Sequence, residues 1–150
     1  MFAALLLSFQ APAPKVPDHR FSAAVQAPIC DERNNTYNVW ANGGFDSVRD
    51  PILIRITLRE TLLKGKGSTL IEAPLVTEQN PAPESQHTGI MRPKDKPREG
   101  SYLAGVFAPR YDPETHKYEL KIEYVNDAGK AIHTYKEKDS EWIPVPKPKS

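Results

Sequence analysis

The chain's 150 residues suit one ordinary domain, with 15 prolines and 20 basic side chains against 19 acidic ones. A net charge of +1 supplies no global field for nucleic acid or an anionic membrane surface, so neither is expected as a partner. The single cysteine, Cys30, excludes an internal disulfide and any zinc site built on paired thiolates. In a small exported domain that lack favours a bacterial or viral source over a eukaryotic secreted one.

Residues 2–9 form an uncharged apolar run, and the first charge is Lys15. The run falls far short of the roughly 20 residues that a membrane-spanning helix needs, so no transmembrane segment is expected. Its length suits the apolar core of a secretory signal, with Ala11-Pro12-Ala13 near a cleavage point. The missing basic residue before it and the prolines after Ala11 and Ala13 argue the other way. The alternative is an apolar arm that docks on a partner or on the domain itself. Ile29 before Cys30 is too large for a lipoprotein signal. Residues 1–35 are therefore expected as a signal-like segment and an irregular arm. Pro12, Pro14, Pro17 and Pro28 punctuate that arm. Asn34-Asn35-Thr36 matches a glycosylation sequon, which carries meaning only in a eukaryotic secretory pathway.

Strands are expected from residue 36 onward. Residues 36–40 read as the first, with Asn42-Gly43-Gly44 as the turn after it. Ile52, Ile54, Ile56 and Leu58 alternate with Arg55, Thr57 and Arg59, a strand with one dry face, and isoleucine suits a pleated surface. Lys64-Gly65-Lys66-Gly67 turns the chain, and residues 69–76 return as a strand. Pro74 there would cost a ladder hydrogen bond in a central position, which predicts an edge or a bend. Residues 77–100 shift to proline, charge and amide, and read as one long loop. Residues 102–107 resume the strands, and Asp112-Pro113-Glu114-Thr115 is a turn. Trp142-Ile143-Pro144-Val145 reads as a last edge strand before the tail 146–150.

The best-specified stretch is 117–136. Tyr118, Leu120, Ile122 and Tyr124 alternate with Glu119, Lys121 and Glu123, the period-two signature of a half-buried strand. Asn126 at the first turn position and Gly129 at the fourth suit a type I turn that closes on a left-handed glycine. That three-residue loop, with a bulge at Gly129, pairs Tyr124 with Ile132 and Glu123 with His133. With no helical periodicity and no internal repeat, these elements predict an all-β fold. The expected architecture is an antiparallel β-sandwich, immunoglobulin-like or similar, over residues 36–145. Its N-terminal, middle and C-terminal segments are proline-rich and irregular.

No constellation commits to a reaction, and no cofactor, metal or catalytic residue is expected. His19, His87, His116 and His133 are too far apart for a metal pair on one element. Asp112, Glu114 and His116 around one turn rarely supply three ligands of fitting geometry. Glu123 opposite His133 is the nearest approach to an acid–base pair, and a cross-strand charge pair explains it as well. Cys30 lacks a visible histidine partner, and the serines lack a Gly-x-Ser-x-Gly elbow. Lys64 to Ser68 lack phosphate-loop spacing. The stretch of Arg92, Lys94, Lys96 and Arg98 reads first as a solvated, proline-stiffened loop and second as a docking site for phosphates or an acidic partner, and no aromatics interleave with it for nucleic-acid stacking. The aromatic set Tyr37, Trp40, Phe45, Tyr102, Phe107, Tyr111, Tyr118, Tyr124, Tyr135 and Trp142 is expected mostly in the core.

The expected function is non-catalytic protein–protein binding, by an exported periplasmic or extracellular module or by a structural subunit of a larger, virion-like assembly. Arg92, Lys94, Lys96, Arg98 and Trp142 are the candidate partner-binding residues. An exposed edge near Pro74 or Trp142 could add to a partner's sheet. The alternatives are a small carbohydrate-binding domain, using Trp40, Trp142 or tyrosines, and a small hydrolase using Glu123 and His133 with Arg110.

Overall fold

The computed structural model describes residues 20–48, 51–78 and 88–149. Among them there is no helix, and no segment forms a helix long and apolar enough to cross a membrane. The strands are β1 (Ala24–Val25), β2 (Ile29–Asp31), β3 (Thr36–Phe45), β4 (Leu53–Leu62), β5 (Ser68–Glu72), β6 (Gly89–Met91), β7 (Gly100–Pro109), β8 (His116–Val125), β9 (Ala131–Thr134) and β10 (Ile143–Pro144). The expected apolar start at 2–9 and Pro81 and Pro83 of the middle segment lie outside the described residues.

Two antiparallel sheets pack face to face as a β-sandwich. Sheet A runs β1-β3-β7-β6, with β2 pairing β3 beyond β1, and sheet B runs β10-β8-β4-β5, with β9 pairing β8. Taking β1 with β2 as one interrupted strand, and β9 with β10 as another, gives the immunoglobulin-type order ABED over GFCC′. The corner that such folds build at the start of strand F is present too. The Tyr118 hydroxyl, near the start of β8, accepts the Asp112 backbone N–H at 2.8 Å.

Alternation puts the core between the sheets. Ile54, Ile56 and Leu58 of β4, with Ile52 just before it, meet Leu120 and Ile122 from the neighbouring strand, and Val39, Ala41, Ala104 and Val106 from the other sheet, all buried. Full burial of each Ile or Leu contributes about 1.5–3 kcal/mol. With no disulfide to join the sheets, this aliphatic layer and the rings of Phe21, Tyr37, Phe45, Tyr102, Tyr118 and Tyr124 do so.

Several local expectations are corrected. Asn42-Gly43-Gly44 is not a turn, because β3 runs through it to Phe45. A Cβ at Gly43 would stand 1.8 Å from the Ser22 carbonyl oxygen, so glycine here serves close backbone approach rather than reversal. Residues 24–31, expected as irregular arm, pair with β3 in two short runs, Ala24 with Asn42 and Ile29 with Asn38. The long 77–100 loop contains β6, which pairs with β7. β5 does lie at an edge and stops at Glu72, before Pro74. Val76 then rejoins β4 by exchanging backbone hydrogen bonds with Ile54 at 2.9 and 3.0 Å.

The opening of the hairpin is as the residues predict. Gly129 has φ 79°, its N–H reaches the Asn126 carbonyl at 2.8 Å, and Asn126 N–H reaches the Lys130 carbonyl at 2.9 Å. Its register is not. A second irregularity between Tyr124 and Val125 leaves Ile132 unpaired, so Tyr124 faces His133 and Glu123 faces Thr134. A slip of one residue exchanges the faces of a strand, and it carries Ile132 out to solvent.

Candidate docking face

The two outward surfaces of the sandwich differ in kind. On sheet B, Arg55 and Arg59 of β4 and Lys117, Glu119, Lys121 and Glu123 of β8 share one face. Arg55 and Glu123 form a two-pronged bridge at 3.1 and 3.2 Å, and Arg55 also donates to the Gly129 carbonyl at 3.0 Å. Arg59 reaches Glu119 at 2.7 Å. Lys117 and Lys121 add looser pairs, at 3.6 and 3.8 Å to Glu119 and Glu123. Trp142 lies against this lattice with the Arg59 guanidinium 4.1 Å and the Lys121 ammonium 5.1 Å from its ring centre. The charges are largely satisfied by one another.

Sheet A presents the opposite chemistry. Registers fix its outer rows. Ile29, Asn38 and Phe107 stand side by side, then Trp40 beside Gly105, then Ala24, Asn42 and Leu103, then Gly44, Ser101 and Met91. None of these positions carries a charge, and the next row on the same face, Asp31, Thr36 and Pro109, carries only Asp31. Phe107 is 72% exposed, Ile29 64% and Met91 49%. The outer side of an antiparallel sheet is ordinarily its polar side, and contiguous exposed apolar surface marks an interaction site. Trp40 lies flat across Gly105, where a Cβ would meet its ring at 2.8 Å. Asn38, only 8% exposed, has a side-chain carbonyl oxygen with no hydrogen-bond partner, an unpaired acceptor within an apolar surface.

Beside the Gly44–Ser101–Met91 row the face opens into a cleft of about 930 Å³. Phe21, Phe45, Met91 and Tyr135 line it, with Arg20, Asp46, Lys94 and Glu99 also in its wall. Arg20 and Asp46 pair at 3.2 Å, so the acids and bases there offset one another.

The structure separates the basic residues singled out in the sequence. Arg92 is held inward. It donates to the carbonyls of Val48 at 2.9 Å and Pro97 at 2.6 Å, pairs with Glu78, and lies 5.3 Å over the Phe45 ring. Lys94 lines the cleft, Lys96 pairs loosely with Glu99 at 3.6 Å, and Arg98 is exposed, while its backbone carbonyl accepts the Val48 N–H. Trp142 belongs to sheet B, across the sandwich from Trp40. Glu123 and His133 are not brought together: Glu123 points out to Arg55, whereas His133 follows Tyr124 and meets the Phe21 ring edge-on at 5.4 Å. Among the described residues no cluster of His, Cys, Asp or Glu has the geometry to hold a metal ion. Around the Asp112 turn, Asp112 instead accepts the Glu114 N–H, and His116 bonds the Thr115 hydroxyl at 2.8 Å.

A second polar group gives no signal in the sequence. Glu60, the one acid on the inward face of β4, sits among Tyr37, Tyr118 and His116. Burial raises its pKa, against the nearby His116 and the Tyr37 hydroxyl, which lower it. Tyr37, Tyr111 and Tyr118 cluster with ring centres 5.0 to 5.5 Å apart, and burial raises all three hydroxyls. The tyrosine hydroxyl of Tyr37 approaches the Glu60 carboxyl without reaching good hydrogen-bond geometry.

Phe107 corrects the expected aromatic core, since it is the most exposed large apolar side chain described. The alternation Ser101, Leu103, Gly105, Phe107 already puts it on the outer face, where the sequence shows no charge. Comparison with known protein families and with curated proteins finds no match for this chain.

Proposed function

We propose that this protein is a non-catalytic binding module that acts through protein–protein contact, with the outer face of sheet A as its docking surface. One observation carries the reading. The sheet A face carries one charged side chain in its rows, Asp31 at one end, and exposes Phe107, Ile29 and Met91, while the opposite face of the same small domain is laced with ion pairs. Interface cores are depleted in charge and enriched in aromatic residues and methionine. Trp40, Phe107 and Met91 match that composition.

The setting we favour is an exported module or a subunit of a larger assembly. The uncharged run at 2–9 supports either, as secretory signal or as docking arm. The test is isolation of the full-length product from its native source under gentle conditions, wild type beside Phe107→Asp, with intact mass recorded. A stoichiometric companion present with wild type and lost with Phe107→Asp supports the reading. A companion retained by the variant, or none with either protein, removes it. A mass lacking the apolar run would assign the exported setting.

A further inference from the structure

We infer that β5 is an interface strand, which pairs with β5 of a second copy of this chain, antiparallel about a two-fold axis. The pairing would join sheet B of two molecules into one continuous sheet. It lies apart from the sheet A face and does not depend on it.

An edge strand offers unpaired N–H and C=O groups to any other strand, and folds blunt such edges with short strands, proline or bulges. Three of the four sheet edges here are blunted in those ways. β6 has three residues, and β1 and β2 have two and three with Pro28 between them. The β9–β10 edge carries a register irregularity and Pro144. β5 is the exception. It is five residues long, contains no proline, and keeps an even register with β4 from Ser68 to Glu72. Its inward side chains, Thr69 and Ile71, are uncharged. Among the described residues no strand lies on its far side.

The ladder with β4 fixes which backbone groups are on offer. Leu62 N–H donates to the Gly67 carbonyl at 3.2 Å, and Ala73 N–H to the Ile56 carbonyl at 3.0 Å. Bonded and non-bonded pairs alternate along an antiparallel ladder, so Thr69 and Ile71 turn their groups to β4. Ser68, Leu70 and Glu72 turn theirs outward.

These three residues are complementary to their own reversed order. A two-fold axis centred on Leu70 pairs Leu70 with Leu70, and Ser68 with Glu72 on either side, each pair exchanging both its N–H···O bonds. Moving the centre toward Glu72 brings Pro74, which has no N–H, into the ladder, and centring on Glu72 sets two carboxylates opposite each other. Moving it toward Ser68 runs into the turn at Gly65 and Gly67, with φ 121° and 150°. The Leu70-centred register alone uses every outward residue. It sets Leu70, 60% exposed in the single chain, against its copy. The Ser68 hydroxyl meets the Glu72 carboxylate, with Lys66 of the same copy close by to supply the opposite charge. On the inner face Thr69 lies against the half-buried Ile71 of the copy.

The experiment is sedimentation of the full chain from low micromolar to several hundred micromolar. Wild type is expected to pass from monomer to dimer. Leu70→Pro removes an outward N–H that β4 does not use, and should abolish the dimer. Leu70→Lys and Leu70→Glu each set like charges side by side, and each should weaken it about tenfold or more at low salt. Mixing the two variants should restore association as a heterodimer. Phe107→Asp, on sheet A, should leave the dimer unchanged. A chain that stays monomeric throughout, a dimer that survives Leu70→Pro, or a mixture that associates no better than its components overturns the inference. A dimer lost with Phe107→Asp but kept with Leu70→Lys also overturns it, and places the self-contact on sheet A instead.

Discussion

Arg55 and Glu123 lie opposite each other on adjacent strands, joined by two parallel hydrogen bonds at 3.1 and 3.2 Å while the guanidinium also caps the Gly129 carbonyl. Three bonds to one side chain link β4, β8 and the hairpin loop. Glu123→Ala leaves the partly buried guanidinium without its counter-charge, and the expected loss is about 2 kcal/mol in urea unfolding. Arg59→Ala should lose a comparable amount, because it removes the Glu119 bridge and the stacking on Trp142 together. A loss below the measurement error in both would show the lattice to be solvated ornament of the surface.

The hairpin register gives a paired prediction. Gly129→Ala meets no steric neighbour but must hold φ 79°, a left-handed conformation costing about 1–2 kcal/mol for a residue with a Cβ. Ile132→Ser should change stability by less than about 0.5 kcal/mol, since the bulge puts the side chain in solvent. Were Ile132 paired with Tyr124 and turned inward, the same change would cost several times more.

Glu60 predicts a pH dependence. Its folded pKa is raised above the ordinary value of 4.5, so between those two values the folded chain holds the proton more tightly than the unfolded one. Stability from this group is therefore fully present below about 4.5 and is lost as pH rises through the folded pKa. Glu60→Gln should raise the melting temperature at neutral pH, and the gain should shrink as pH falls toward 4.5. A gain that grows on acidification would contradict the assignment.

Tyr118 closes the corner between β7 and β8 by accepting the Asp112 N–H. Tyr118→Phe keeps the ring among Tyr37 and Tyr111 but deprives that N–H of its acceptor. The expected cost is about 1 kcal/mol, with faster hydrogen exchange at the Asp112 amide. Unchanged exchange there would mean that the bond does not hold the turn.

The basic stretch divides in the same way. Arg92→Ala should destabilise by about 2 kcal/mol, because it strips two loop carbonyls of their donor. Lys94, Lys96 and Arg98 replaced together by alanine should shift the unfolding midpoint only slightly. A large loss from the triple variant would give those side chains a structural role that their exposure does not suggest.

Much of this architecture is legible in the chain itself. Period-two alternation in 52–58 and 118–124 specifies strands with one dry face, because burial rewards side chains two residues apart on a pleat. Gly129 after Asn126 dictates the turn, and Pro74 dictates an edge, since both act within a few bonds of backbone. The same alternation read across 101–107 leaves a face without charge.

Tertiary structure decided the rest, for reasons no local pattern carries. Gly43 reads as a turn residue until the Ser22 backbone is seen to need its space. Arg92 reads as a free base until loop carbonyls and Phe45 surround it. Ile132 reads as the partner of Tyr124 until a bulge slips the ladder by one and parts Glu123 from His133. Whether an apolar face is core or surface depends on which sheet packs against which side, and that choice exposes Phe107 while burying Tyr37. The sequence determined by itself that 53–58 and 118–124 are strands and which of their residues share a face, whereas β1, β2, β6 and the run of β3 through Gly43 depend on pairing with distant strands. Only packing of the two sheets determined which face meets water.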